Sequence, residues 1–126
     1  MAAAAATEKI YVGPHVAGID FRNPVLFAKE AATIDLLSDG RMMLGLGAGW
    51  FELEHDQYGY EFGTFTDRFE KLEEGLQIVK SMFTEHATTF DGKWFKVTEA
   101  MNYPKPIQAG GPPVMIGGSG EKKTLR

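Results

Sequence analysis

Two glycine-rich stretches and one cluster of ionisable side chains mark where this sequence could do chemistry. The first stretch, Arg41-Met-Met-Leu-Gly-Leu-Gly-Ala-Gly-Trp-Phe51, sets three alternate glycines, Gly45, Gly47 and Gly49, after a short apolar run. Glycine lets backbone approach a partner closely, and Trp50 and Phe51 put aromatic surface beside that opening. The second stretch, Gly117-Gly-Ser-Gly120, follows the apolar run Val114-Met115-Ile116. Small residues between a buried strand and a helix leave backbone N–H groups pointing at one spot, which suits a phosphate; the alternative is a tight turn with no ligand. Glu52, Glu54, His55 and Asp56 crowd the segment after the first stretch. These are metal-ligand types, but their spacing matches no standard zinc or calcium loop. The expectation is a solvated loop with one or two ligand contacts and no metal. His15 stands near the end of an earlier apolar run, either as a packed, hydrogen-bonded side chain or as a ligand contact.

The elements that must position these residues follow from periodicity. Ala2 to Ala6 read as the last turn or two of a helix. Residues 10–16 read as a strand interrupted by Gly13-Pro14, since proline cannot donate to a ladder. Asn23-Pro24 is a helix start, N-cap then proline at N1, and Gly40 is its stop. Leu26, Phe27, Glu30, Ala31, Ile34 and Leu37 run along that helix, their apolar members forming a core stripe. Met42, Met43 and Leu44 form a short strand buried on both faces, hence without polar alternation. Residues 52–65 read as loop. Asp67 with Glu70 makes a capping box, and Phe69, Leu72, Leu76, Val79 and Phe83 form the next helix's core stripe. Residues 86–97 read as a β-hairpin turning at Asp91-Gly92 in a type I′ turn, with Trp94 and Phe95 as structural cover. Tyr103-Pro104-Lys105-Pro106 and Gly110-Gly111-Pro112-Pro113 are loop. Residues 114–116 read as a third buried strand, and residues 121–126 as the beginning of a helix.

Composition narrows the function classes. The net charge of −4 over 126 residues gives no electrostatic case for nucleic acid or an anionic membrane. With no cysteine, disulfides, Cys-zinc sites and thiol nucleophiles are excluded. No apolar run approaches the roughly 18 residues of a membrane span, and the start lacks a secretion signal's basic region, so a cytoplasmic protein is expected. The glycines after Met42–Leu44 begin like a dinucleotide fingerprint, but Trp50 replaces its third glycine and loop is expected where it needs a helix. Residues 117–124 lack the Gly-Lys-Ser/Thr end of a P-loop. Strand-helix alternation implies right-handed crossovers and a parallel sheet. Three strands with a part-helix at either end read as a slice of an eight-fold barrel, which needs about 250 residues.

In this order of motifs the chain resembles the luciferase-like flavin and deazaflavin oxidoreductases, and most closely the branch dependent on coenzyme F420. The resemblance rests on Phe21-Arg22-Asn23-Pro24, Ala31-Ala32-Thr33-Ile34-Asp35, Ser38-Asp39-Gly40-Arg41 and Leu44-Gly-Leu-Gly-Ala-Gly-Trp50. It continues through Arg68-Phe69-Glu70 and Ile116-Gly-Gly-Ser-Gly-Glu-Lys122. It implies an α/β fold, a partial (β/α)8 TIM barrel spanning roughly strands three to five, with residues 1–126 one incomplete barrel segment and the hairpin an excursion from it. It also implies cofactor-binding roles. Pro14, His15 and Val16 match a strand-end bulge, often with a non-proline cis peptide, that backs the isoalloxazine-like ring. Ala48 and Trp50 match the ring and substrate side. Gly117, Gly118, Ser119 and Gly120 match the cofactor-phosphate loop. Trp50 stands where some sugar-phosphate dehydrogenases of the family carry a catalytic acid, a departure from their chemistry.

The expected function is hydride transfer between coenzyme F420 and a small organic substrate, with FMN as the alternative cofactor and an FMN-dependent monooxygenase as the alternative enzyme. The proton donor is sought among His15, Glu54 and His55. The expected partners are the substrate and a second copy in a homo-oligomer, a dimer. Two further readings stand beside it. One is a truncated, catalytically incompetent chain that self-associates through unpaired strand edges, and the other is a phosphate-binding barrel enzyme such as an isomerase.

Overall fold

The computed structural model describes residues 1–118. Three short strands, β1 (Ala17–Gly18), β2 (Leu44–Gly47) and β5 (Val114–Ile116), lie parallel in the order β1-β2-β5. Strand β2 is central and wholly buried, with Leu44 paired to Val114 and Leu46 paired to both Ala17 and Ile116. Helices α2 (Pro24–Leu37) and α4 (Phe65–Thr84) pack on each other and on the sheet, while α1 (Ala2–Ala5) and α3 (Glu52–Tyr58) are short. An antiparallel hairpin, β3 (Thr88–Asp91) with β4 (Lys96–Ala100), forms a separate two-stranded sheet. The expected β-α-β alternation with a hairpin excursion is therefore the observed architecture. Among the described residues no helix is long and apolar enough to cross a membrane.

Helix α2 begins where sequence chemistry places it: the Asn23 side chain accepts from Val25 N and Leu26 N, with Pro24 at the first helical position. Its core face differs from the expected stripe. Leu26 and Leu37 are 60% and 59% exposed, and the helix packs instead through Phe27, Ala28, Ala31 and Ala32. Three alanines bring the backbones of packed elements close together, which a leucine stripe would hold apart. Asp35 continues this face into the interior, where its carboxylate accepts from Ile107 N, Gln108 N and Gln108 Nε2 at 2.9, 3.1 and 2.6 Å. A buried charge so fully paired ties the loop before β5 to α2.

Helix α4 is capped reciprocally by Thr64 and Asp67, one turn earlier than the expected Asp67–Glu70 box. Its buried face is Leu72, Ile78, Val79, Met82 and Phe83, with Phe69 and Leu76 packed half-buried against the core. Gly75, unfavourable mid-helix by about 1 kcal/mol, is required by packing: a Cβ there would lie 2.7 Å from Ile19 Cδ1.

Five other expectations change. Residues 10–16 are not a strand; Val12 alone bridges Met42, and regular pairing begins at Ala17. Pro14 has no N–H to give, and the peptide between His15 and Val16 is cis. Strand β2 starts at Leu44 and takes Gly45 and Gly47 into the ladder. Residues 52–58 are helix α3, closed by Gly59 in the left-handed region, with Glu52 and Glu54 in the first turn, where acidic side chains are favoured. The dinucleotide fingerprint is then excluded by Trp50 alone. The hairpin turns through four residues, 92–95, between Asp91 and Lys96. Glu74 decides this by accepting from Lys93 N, Trp94 N and Phe95 N at 2.8, 2.9 and 3.0 Å, which a two-residue turn could not present. Residues 114–116 are half-buried rather than buried.

The glycines of β2 have a definite partner. A Cβ on Gly45 would lie 2.2 Å from Pro14 O and 2.9 Å from Val16 Cγ1; one on Gly47 would lie 3.0 Å from Val16 Cγ2. Gly117, beyond β5, would meet Val16 Cγ2 at 2.6 Å. Val16 thus sits in a cradle of three glycines from two strand ends.

Two measurements test these contacts. Gly45→Ala is expected to destabilise the complete protein by at least about 2 kcal/mol, within the range of overpacking into fixed backbone; an unchanged urea midpoint would refute the cradle. Hydrogen bonds from the Thr64 hydroxyl and backbone, and then Lys93, hold the Asp67 carboxyl below the usual aspartate range. A depressed folded value means the stabilisation is present above the unfolded value and is lost as pH falls through the folded one. An NMR titration of the Asp67 carboxyl should therefore show a midpoint below that of an unstructured aspartate, and Thr64→Ala should raise it.

Candidate functional site

The carboxyl ends of β1, β2 and β5 open into one cavity of about 1060 Å³, the end of a parallel sheet where ligands bind in such folds. Its floor is Val16 with the glycine backbone around it, and its wall includes Phe21, Trp50, Phe51, Phe65 and Phe69. Trp50 is 84% exposed and its ring centroid lies 5.2 Å from that of Phe51. This is the aromatic surface expected beside the glycines.

The expected site residues fall into three groups. His15, Val16, Ala48, Trp50, Glu54, His55, Gly117 and Gly118 line this single cavity, although they come from four separate segments. Pro14 does not line it; its carbonyl is turned toward Gly45. Ser119 and Gly120 lie outside the described residues, as does the helix expected over residues 121–126. The non-proline cis peptide stands at His15–Val16, within the segment where the family resemblance placed one. Glu52 and Asp56, from the acidic cluster, do not line the cavity. Among the described residues no three His, Asp or Glu side chains gather as metal ligands.

His55 is buried rather than part of a solvated loop. Its Nδ1 lies 2.9 Å from Phe51 O, one helical turn back, and its Nε2 lies 3.5 Å from Asp20 Oδ2. A carbonyl only accepts, so Nδ1 carries the hydrogen of this contact. Phe21 and Phe62 pack on the ring, with centroids at 4.5 and 4.8 Å. Asp20 is equally buried and sits between His55 and Lys71, whose Nζ is 3.5 Å from Oδ1. Oδ1 makes no aligned hydrogen bond, so the Lys71 charge balances it through space. Arg68 serves the same loop from α4. Its Nε donates to Gly49 O at 3.3 Å, its Nη1 donates to Gly63 O at 3.0 Å, and its guanidinium lies 3.8 Å above the Phe62 ring. Gly49, at φ +76°, has no room for a side chain: a Cβ would stand 2.7 Å from Asp20 Oδ2.

Asp20 and Lys71 were not legible as site residues, because neither lies in a motif and their meeting depends on the 3₁₀ turn 19–21 packing on α4. Arg68 was visible only as part of a motif. Its spacing from Asp67 and Phe69 carries no sign that its fork reaches back to residue 49.

Comparison with known proteins agrees with this geometry. An F420-dependent glucose-6-phosphate dehydrogenase of Amycolatopsis mediterranei is 34% identical over 121 residues, covering 90% of this chain and 36% of that protein. Among solved structures, the coenzyme F420-dependent tetrahydromethanopterin reductase from Methanopyrus kandleri superposes with a TM-score of 0.84 at 25% identity, over 94% of this chain and 37% of the other. An F420-dependent secondary alcohol dehydrogenase, solved with an F420-acetone adduct, gives 0.83 at 26% identity, over 93% and 35%. The chain thus spans little more than a third of each of these three proteins, a segment of their luciferase-like TIM barrel. The profile of the luciferase-like monooxygenases matches from residue 1 to residue 126, and with the strand-end cavity, its glycine floor and the cis peptide beneath it, this chain belongs to that family.

Proposed function

We propose that the protein containing this chain is an oxidoreductase that transfers hydride between coenzyme F420 and a small organic substrate. The observation that carries the proposal is the cavity itself. Its floor, Val16 held among Gly45, Gly47 and Gly117, is apolar, with the short Val16 side chain seated where the three glycines carry none, which suits the face of a fused ring. Its volume, about 1060 Å³, is that of a site for a cofactor-sized ligand. The F420-dependent relatives favour the deazaflavin. FMN, with a monooxygenase activity, is the second reading, favoured by the family's own description.

His15, Val16, Ala48 and Trp50 would hold the ring, and Gly117 and Gly118 would offer backbone toward a phosphate. Ser119 and Gly120 belong to the same proposed phosphate loop. The cofactor, when bound, supplies the hydride chemistry at its ring. The chain's own residues orient, exclude water and move a proton. Of the three acid-base candidates, His55 already has both ring nitrogens engaged, by Phe51 O and by Asp20. Glu54 lines the cavity half-exposed, with no hydrogen-bond partner among the described residues, and His15 lines it from the other side. These two are the groups able to exchange a proton with a substrate hydroxyl or carbonyl oxygen. The proposal extends to a cytoplasmic homodimer.

Titrating the complete protein with F420 and with FMN, followed by cofactor fluorescence, tests the reading. F420 is expected to saturate with a dissociation constant of about 1 µM, roughly −8 kcal/mol, and FMN more weakly. The reverse order would favour the monooxygenase, and no saturable change with either would sink both.

A further inference from the structure

The buried charges beneath the site loop have no place in the hydride chemistry, yet they touch the loop at two points. The Gly49 and Phe51 carbonyls flank Trp50, and each is held by a basic side chain: Gly49 O by Arg68 Nε at 3.3 Å, Phe51 O by His55 Nδ1 at 2.9 Å. Both bases are backed. Arg68 is braced by Gly63 O and the Phe62 ring, and His55 by Asp20, whose side chain, like that of His55, is only 1% exposed. Trp50, by contrast, is 84% exposed and lines the cavity.

We infer that Asp20 and His55 are positioning residues that set the orientation of Trp50, and through it the shape of the ring- and substrate-binding side of the cavity. The inference rests on the functional reading above for what the cavity binds, but not for the clamp itself. Trp50 packs on the ring of Phe51, a residue of the same loop, and a backbone pinned at the residues before and after Trp50 supplies the orientation of that pair. The His55 ring can pin Phe51 O only if it cannot rotate. The Asp20 carboxylate lies opposite Nε2 at 3.5 Å, on the far side of the ring from Phe51 O. Asp20 is itself fixed by Lys71 Nζ at 3.5 Å. The close approach at Gly49 completes the arrangement, since any side chain there would push the loop off the Asp20–His55 pair. Hydrogen bonds of 2.9–3.3 Å at the loop and contacts of 3.5 Å behind it place the stronger hold on the backbone.

The chain contains two tryptophans, and Trp94 lies on the hairpin, outside the cavity, with Nε1 on Glu70. In a Trp94→Phe background with any further tryptophans of the complete protein also replaced, time-resolved fluorescence anisotropy reports the motion of Trp50 directly. Asp20→Asn, which keeps shape and removes charge, is expected to free a nanosecond motion of Trp50 while circular dichroism stays native. It should also weaken F420 binding by roughly tenfold, about 1.4 kcal/mol. If Asp20→Asn does not fold, His55→Gln carries the same test, because its amide can still donate toward Phe51 O without an imidazole facing Asp20. A lowered melting temperature with unchanged Trp50 anisotropy would overturn the inference, leaving the cluster a packing feature. If F420 fails to bind even the unmodified protein, the cofactor reading falls, while the anisotropy still decides the clamp.

Discussion

Everything at this site depends on one steric exclusion: Val16 occupies the space where three other residues would have carried side chains. Gly45 and Gly47 project to the same face of β2 because strand side chains alternate, and Gly117 leaves β5 alongside them. With no Cβ on any of the three, the backbone of residues 14–16 can cross the strand ends within about a carbonyl's reach of β2. The segment that crosses contains the cis peptide and Pro14, and it supplies no regular ladder of its own until Ala17. The floor of the cavity is thus a side chain lying on bare backbone. Larger residues in the cradle would lift it and close the space that a flat ligand needs.

This explains why the glycine run was informative and yet misread in detail. Three alternate glycines after an apolar run do signal close approach, and close approach is what the fold shows. The partner is the chain itself as well as any ligand, and two of the glycines are in the strand rather than the loop. The helix starts were legible because their chemistry is local: Asn23-Pro24 and the Thr64–Asp67 pair each act within one turn. The core stripe of α2 was less so. Periodicity marks which positions share a face, but Leu26 and Leu37 are outranked by alanines, because the close contact between α2 and α4 rewards small residues over large ones. Helix α3 was hidden by its charge, since seven mostly polar residues show no apolar period, and its closing Gly59 is the single local sign of it.

The second layer of the site was illegible for a different reason. Asp20, His55, Lys71 and Arg68 come from the 3₁₀ turn, α3 and α4, and no spacing in the chain relates them. Burying them is physically demanding, since an unpaired buried carboxylate is strongly disfavoured. Asp20 is tolerated with two basic neighbours at 3.5 Å, and the attraction of such pairs grows as water is excluded. Burial is therefore a consequence of assembly, and only the assembled fold brings the four together. Reading His55 as part of a solvated acidic loop missed this because its neighbours Glu52, Glu54 and Asp56 are polar. The helix hides the one position among them that faces inward.

Helix α4 joins these features to the hairpin, which the sequence presents as an excursion. Arg68 and Lys71, one turn apart, reach the site loop and the 3₁₀ turn; Glu74, a turn beyond Lys71, gathers three amides of the hairpin loop. Glu70 lies between, accepting from Trp94 Nε1 and Lys93 Nζ. Gly75 then admits Ile19, the neighbour of Asp20, into the helix surface. One helix therefore carries on successive turns the brace for the Trp50 loop, the counter-charge for Asp20 and the dock for the hairpin. The hairpin and the site loop therefore share a support in α4. The hairpin's Trp94 does more than shield apolar surface: it donates to Glu70 and lies under Lys71 Nζ, the same lysine that faces Asp20.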